Sequence, residues 1–117
     1  MLRFAAALIA IFAVVPATAQ AFQTLTEKSN FVQAVQDKEL TRMGIGLDVT
    51  PDGKIIGRAF GRDVRGNWTW QDGYFCRDLY WGKRDLGYNC QEVKLHGETI
   101  RFTSDKGTGQ FADLTLR

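Results

Sequence analysis

The sequence predicts a small all-β fold: an up-and-down antiparallel meander of about seven strands, closed or nearly closed into a barrel, with one short N-terminal helix. Three observations carry that expectation. Turn-forming pairs and triplets recur at short, even intervals from Leu40 to the C-terminus, and the segments between them are rich in β-branched and aromatic residues. The one stretch with helical periodicity ends before the first of these turns.

The N-terminal residues are set apart from the fold. Met1-Leu2-Arg3 is a short basic start, Phe4 to Val15 is an apolar run, and Pro16 precedes Ala17-Thr18-Ala19, a small-x-small pattern. That order is read as a secretory signal over residues 1–19, cleaved after Ala19, which predicts a periplasmic or secreted product. The apolar run is too short to span a bilayer, so no transmembrane segment is expected. Residues 20–117 contain no internal repeat, low-complexity tract or linker and are read as one domain.

The helix is expected first. Thr24 and Glu27 stand at capping-box spacing, Phe31, Val32 and Val35 set an apolar stripe on one face, and Asp37-Lys38-Glu39 breaks the pattern. Turns follow at Pro51-Asp52-Gly53, Gly61-Arg62-Asp63, Asp72-Gly73, Gly82-Lys83-Arg84, His96-Gly97 and Lys106-Gly107-Thr108-Gly109. Asp-Gly supplies the positive φ angles that tight hairpins need. The strands expected between them are Ile45 to Thr50, Lys54 to Phe60, Asn67 to Gln71, Tyr74 to Trp81, Leu86 to Leu95, Thr99 to Thr103 and Gln110 to Leu116.

Side chains alternate along a strand, so Trp68 and Trp70 share one face. If Asp72-Gly73 is a two-residue turn, Trp70 lies opposite Phe75 and Trp68 opposite Arg77, close enough for a cation-π contact. On the next strand Phe75, Arg77, Leu79 and Trp81 form one face, and Tyr74, Cys76, Asp78 and Tyr80 the other. Trp68, Trp70, Phe75 and Leu79 are expected in the core. Trp81, beside the Gly82-Lys83-Arg84 turn, is expected on an exposed rim.

Cys76 and Cys90 are the only cysteines, and two in a small exported chain predict a disulfide. A hairpin centred on Lys83 sets Cys76 opposite Cys90. There is neither C-x-x-C spacing nor a further Cys/His ligand set, so no metal site and no cofactor are expected.

Charge narrows the partners. The chain carries 15 basic and 13 acidic residues, a net charge of +2 that falls to +1 without Arg3, and the signs alternate along it. Nucleic-acid capture needs a clustered basic footprint, so nucleic acid is not an expected partner. Catalysis is weakly supported. His96 is the sole histidine and sits at a turn, Ser29 and Ser104 have no evident base, and no carboxylate pair stands out. The loop Asp105-Lys106-Gly107-Thr108-Gly109 lacks the phosphate-loop pattern and is read as a hairpin turn.

Gly66-x-Trp68-x-Trp70-x-Asp72-Gly73-Tyr74-Phe75-Cys76-Arg77, with Leu86-Gly87-x-Asn89-Cys90-Gln91 and Ile100-Arg101-Phe102-x-x-Asp105-x-Gly107, resembles a group of short exported alphaproteobacterial proteins. Some of these carry a dihydrodipicolinate reductase name. The resemblance covers nearly all of residues 20–117 and implies export, the disulfide and a β architecture. It does not bring a reductase activity, because G-x-G-x-x-G after a strand and an alternating strand-helix pattern are both missing. The overall plan is also similar to lipocalin-like proteins and to small periplasmic β-barrel inhibitors.

The functional expectation is an exported, non-enzymatic binding or interaction module whose partner is a protein, a glycan or a small ligand. Its candidate binding residues are Trp81, Lys83 and Arg84 on the rim, with Tyr80 and Tyr88 nearby. The alternative is a small enzyme or enzyme inhibitor acting on cell-envelope components, in which Asp78, Arg77 or His96 would matter.

Overall fold

The computed structural model describes residues 9–11 and 21–117. The signal segment with its cleavage point after Ala19 lies outside the described residues, 9–11 apart. In chain order the elements are β1 (Gln23–Leu25), α1 (Lys28–Val35), β2 (Leu40–Arg42), β3 (Ile45–Val49), β4 (Lys54–Ala59), β5 (Arg62–Gln71), β6 (Tyr74–Arg77), β7 (Tyr80–Trp81), β8 (Arg84–Asp85), β9 (Asn89–His96), β10 (Thr99–Thr103), α2 (Ser104–Gly107) and β11 (Phe111–Leu116). Every pairing is antiparallel. The circuit β2-β3-β4-β5-β6-β9-β10-β11 returns to β2, which makes a closed barrel of eight strands. Closure leaves no free edge around that circuit.

The barrel agrees with the sequence reading, and its details differ for identifiable reasons. Leu40–Arg42 is an additional strand, pairing with both β11 and β3; three residues are too few to display alternation. The Thr24–Glu27 capping box does not form. Gln23–Leu25 instead extends along β9, and the helix begins at Lys28 with Glu27 as its N-cap and no side-chain cap bond. β5 begins at Arg62, five residues earlier than expected, because the turn is Phe60-Gly61 and both residues adopt positive φ, 50° and 79°. A second short helical turn, Ser104–Gly107, sits where a simple hairpin loop was expected.

The long central hairpin is as the alternation implied at its base. Trp70 pairs with Phe75 and Trp68 with Arg77 across Asp72-Gly73, whose φ values of 53° and 85° suit a two-residue turn. β7 continues β6 along β5 in the same register, since Arg65 lies opposite Tyr80 and Val64 opposite Trp81. At the other end the turn is Gly82-Lys83, with Trp81 opposite Arg84, not a wider turn centred on Lys83. Leu86-Gly87 absorbs the one-residue difference, and Cys76 still meets Cys90 across β6 and β9.

One end of the barrel is plugged by α1. Its apolar stripe places Phe31 and Val35 in the core at 0% and 1% exposure. Phe31 stacks on Trp70 at 5.0 Å, meets Trp68 edge-on at 5.2 Å, and contacts Phe75 at 5.1 Å. Both indole N–H groups donate to backbone at this end, Trp68 to the Thr50 carbonyl (2.9 Å) and Trp70 to the Thr26 carbonyl (3.0 Å). The cation over Trp68 is Lys28 at 5.7 Å, where Arg77 was expected. Two glycines let the strands bend around the barrel. A Cβ on Gly57 would strike the Gly46 carbonyl, and one on Gly66 the Asp78 carbonyl.

On the outer wall, Arg101 lies between the rings of Phe22 and Phe111, 4.1 Å from each, and donates two hydrogen bonds to Asp113 (2.7 and 3.0 Å). The hydrogen bond from Arg101 holds the Asp113 carboxyl below its ordinary value of 3.8. A carboxylate with a depressed folded pKa contributes stability above its unfolded pKa, and that contribution fades as pH falls through the folded value. Asp113→Asn should therefore melt below the wild type near neutral pH. The two curves should converge as the pH falls through the lowered folded pKa of Asp113, which a series of thermal melts would check.

Candidate functional site

The inward positions of the strands are read from their alternation. On β6 and β7 they are Phe75, Arg77, Leu79 and Trp81, and on β9 Gln91, Val93 and Leu95. Side chains fill the plugged end but not the rest of the lumen. A cavity of about 190 Å³ lies above Phe75 and Phe102, walled by apolar residues such as Leu40, Leu47, Ile55 and Leu114. Arg77 and Gln91 are the two polar side chains in that wall. A second cavity of about 220 Å³ lies toward the opposite end, walled by Ile45, Leu47, Ala59, Phe60, Val64, Leu79, Trp81 and Leu86, all apolar. Leu47 and Leu79 border both spaces. An eight-stranded barrel is just wide enough to be filled by its side chains or to hold one small ligand, and this one is filled at one end only.

The mouth is built from three turns. Phe60, in a left-handed conformation unusual for an aromatic residue, lays its ring across Gly44, where a Cβ would come within 2.6 Å of it. Phe60, Met43 and Leu86 are exposed there at 68%, 93% and 44%. Trp81 is half-buried and points inward, not outward from an exposed rim. Its indole N–H donates to the Ala59 carbonyl at 2.8 Å, and the Arg62 guanidinium covers its ring at 4.8 Å. The reason is parity: Trp81 lies two residues beyond Leu79 on the inward face.

The remaining candidates separate. Lys83 and Arg84 are exposed at the mouth, with Arg84 opposite Trp81. Tyr80 is on the outer wall beside Lys54, Ile56, Arg65 and Asn67, in a shallow polar groove. Tyr88 is also exposed, its hydroxyl 3.6 Å from Cys90 Sγ. Trp81, Lys83 and Arg84 are thus brought together, whereas Tyr80 and Tyr88 are not part of that group.

Arg77, Asp78 and His96 point three ways. Asp78 turns outward and accepts the Asn67 backbone N–H at 2.7 Å, and His96 ends β9 against the Phe22 ring at 5.4 Å. Arg77 faces the lumen. Its one hydrogen bond runs from Nη1 to the Gly87 carbonyl at 2.9 Å, and among the described residues no carboxylate lies within 4.0 Å of it. Burial pulls its pKa down, and the neighbouring Asp78 charge partly offsets this. Gln91, 9% exposed, donates from Nε2 to Ser104 Oγ at 3.3 Å. Among the described residues no three of His, Cys, Asp and Glu gather into a metal-binding group, and no helix is long and apolar enough to cross a membrane.

The sequence reading missed the lumen itself. The available signal was Arg77, a cation set two residues from Phe75 and from Leu79 on a face otherwise assigned to the core. No protein-family model, curated protein or solved structure matches the chain.

Proposed function

We propose that the protein is an exported, non-enzymatic binding module that takes a small, largely apolar ligand into the barrel lumen through the mouth at Trp81, Lys83 and Arg84. One observation carries this reading: the lumen beyond Phe75 is left as two adjoining apolar spaces of about 190 and 220 Å³. A packed core leaves few voids larger than a water molecule. An apolar cavity of about 150 Å³ stays dry and takes up benzene, so either space is large enough for a small hydrocarbon group. The disulfide supports the exported setting, because such bridges persist in oxidising compartments.

The test uses a small neutral fluorophore, 1-naphthol at pH 7, titrated into the disulfide-bonded protein. The expected result is saturable binding of one molecule per chain, with a blue shift of its emission. Leu79→Trp fills the space shared by the two cavities and should abolish that binding while the barrel's circular dichroism is kept. Absence of binding to the wild type, or undiminished binding to a folded Leu79→Trp protein, would overturn the reading.

A further inference from the structure

We infer that the lumen ligand is a monoanionic amphiphile, a medium-chain carboxylate, whose head group is held by Arg77 while its chain occupies the apolar spaces bordered by Leu47 and Leu79. The inference rests on the lumen reading above and adds the chemical class of the ligand.

The argument starts from what Arg77 costs. A half-buried guanidinium in the wall of an apolar cavity loses part of its hydration, and a charge so placed is ordinarily paired or heavily hydrogen-bonded. Among the described residues Arg77 has one hydrogen-bond acceptor, the Gly87 carbonyl, and its guanidinium carries four N–H donors beyond that one. The nearest acid in sequence, Asp78, points outward and is occupied by the Asn67 N–H. Gln91, the other polar side chain in the cavity wall, has its Nε2 toward Ser104 and brings no charge. For packing alone, a Leu or Met at residue 77 would serve this wall at no desolvation cost.

The geometry selects the head group. The planar guanidinium fork matches a carboxylate with two parallel hydrogen bonds. One cation neutralises one negative charge; a phosphate monoester would leave a second charge uncompensated inside the barrel. Size selects the chain. If about 150 Å³ accommodates the six carbons of benzene, the two lumen spaces together take at most about sixteen heavy atoms, which admits a chain of roughly ten carbons with its carboxylate. The mouth is fitted to the approach of an anion. Four cations, Arg58, Arg62, Lys83 and Arg84, stand at its turns against two acids, Asp63 and Asp85, which leaves the mouth net positive.

Calorimetric titration of the full disulfide-bonded chain with sodium decanoate and with decan-1-ol tests this. Decanoate should bind once per chain and roughly tenfold to hundredfold more tightly than the alcohol. Arg77→Leu should erase that preference while retaining alcohol binding, and Arg77→Lys should keep part of it, having the charge without the fork. Arg77→Gln serves the same purpose if the leucine variant fails to fold. Arg65→Gln, the same charge change on the outer wall, should leave the preference intact. Equal affinity for acid and alcohol, a preference that survives in Arg77→Leu or Arg77→Gln, or one lost equally in Arg65→Gln, overturns the assignment while leaving the lumen reading in place. Failure of decanoate, decan-1-ol and 1-naphthol alike to bind the wild type overturns both.

Discussion

Trp68→Ala is expected to cost about 3–5 kcal/mol, the usual range for truncating a packed aromatic residue. A domain of this size has on the order of 5–10 kcal/mol in total. Trp68 is 3% exposed, and three separate parts of the chain converge on it. The helix contributes Phe31 edge-on, the next strand contributes Phe75 at 5.5 Å, and the β3–β4 turn accepts the indole hydrogen bond through Thr50. Alanine would leave a void at the plugged end and remove one of the two hydrogen bonds that the Thr50 carbonyl accepts, the other coming from the Gly53 N–H. At about 4–8 °C per kcal/mol, the melting temperature should fall by at least about 12 °C, measured by circular dichroism. Trp81→Ala is the matched comparison. Trp81 is half-buried at the mouth with Arg62 over its ring, so its truncation should stay within the ordinary range of about 0.5–3 kcal/mol and leave a folded barrel with altered ligand uptake. The opposite ranking, with Trp81→Ala unfolding the protein and Trp68→Ala tolerated, would place the structural plug at the wrong end.

That division of the tryptophans was partly legible beforehand. Alternation along Tyr74–Trp81 and the Asp72-Gly73 turn are sufficient to set Trp70 against Phe75 and Trp68 against Arg77, because a two-residue hairpin fixes the register of the strands it joins, whereas Cys76 meets Cys90 through a Gly82-Lys83 turn and an offset at Leu86-Gly87 and not through a hairpin centred on Lys83. Features decided by distant contacts were not legible. Phe60 is a poor candidate for a left-handed turn position by its own preference, and it adopts one where its ring can lie across Gly44, sixteen residues earlier in the chain. Leu40–Arg42 is a strand because β11 and β3 flank it, and nothing in three residues announces that. Glu27 and Thr24 match a local capping pattern, yet the edge of β9 takes up Gln23–Leu25 and the cap is lost.

The candidate site illustrates the same boundary. The inward parity of Arg77 and Trp81 follows from the sequence, but their meaning depends on whether the barrel interior is full. Large side chains from α1, β5 and β6 concentrate at one end, through Phe31, Trp68, Trp70 and Phe75. Alanine stands at inward positions further up, at Ala112 in the wall of one cavity and Ala59 in the wall of the other, and the small side chains leave that space unfilled. Composition counts these residues without saying at which level of the barrel each lies. The turn beside Trp81 suggests a rim position, whereas its parity with Leu79 assigns it to the inner wall of the mouth.

Loss of the Cys76–Cys90 bridge is the second change expected to have a large effect. The bond spans 14 residues, and in the chain-entropy model a loop of this length is worth about 3 kcal/mol through restriction of the unfolded chain. Its position adds a structural reason. β6 has four residues and is the seam through which β5 and β9 join to close the barrel, and Cys76 and Cys90 lie directly opposite each other on that seam. The double variant Cys76→Ala, Cys90→Ala should keep the fold, since Cys76 is 1% exposed among apolar neighbours and alanine fits there without burying a new polar group. Its melting temperature should nevertheless fall by about 12–24 °C. Reduction of the wild type should produce a comparable fall. The origin of the loss is tested by urea unfolding. If the bridge acts on the unfolded chain, its removal lets that chain expand, and the dependence of stability on urea should steepen as the midpoint falls. A lowered midpoint with an unchanged slope would place the loss in the native seam, and coincident melts with and without the bridge would show that it adds nothing to the barrel's stability.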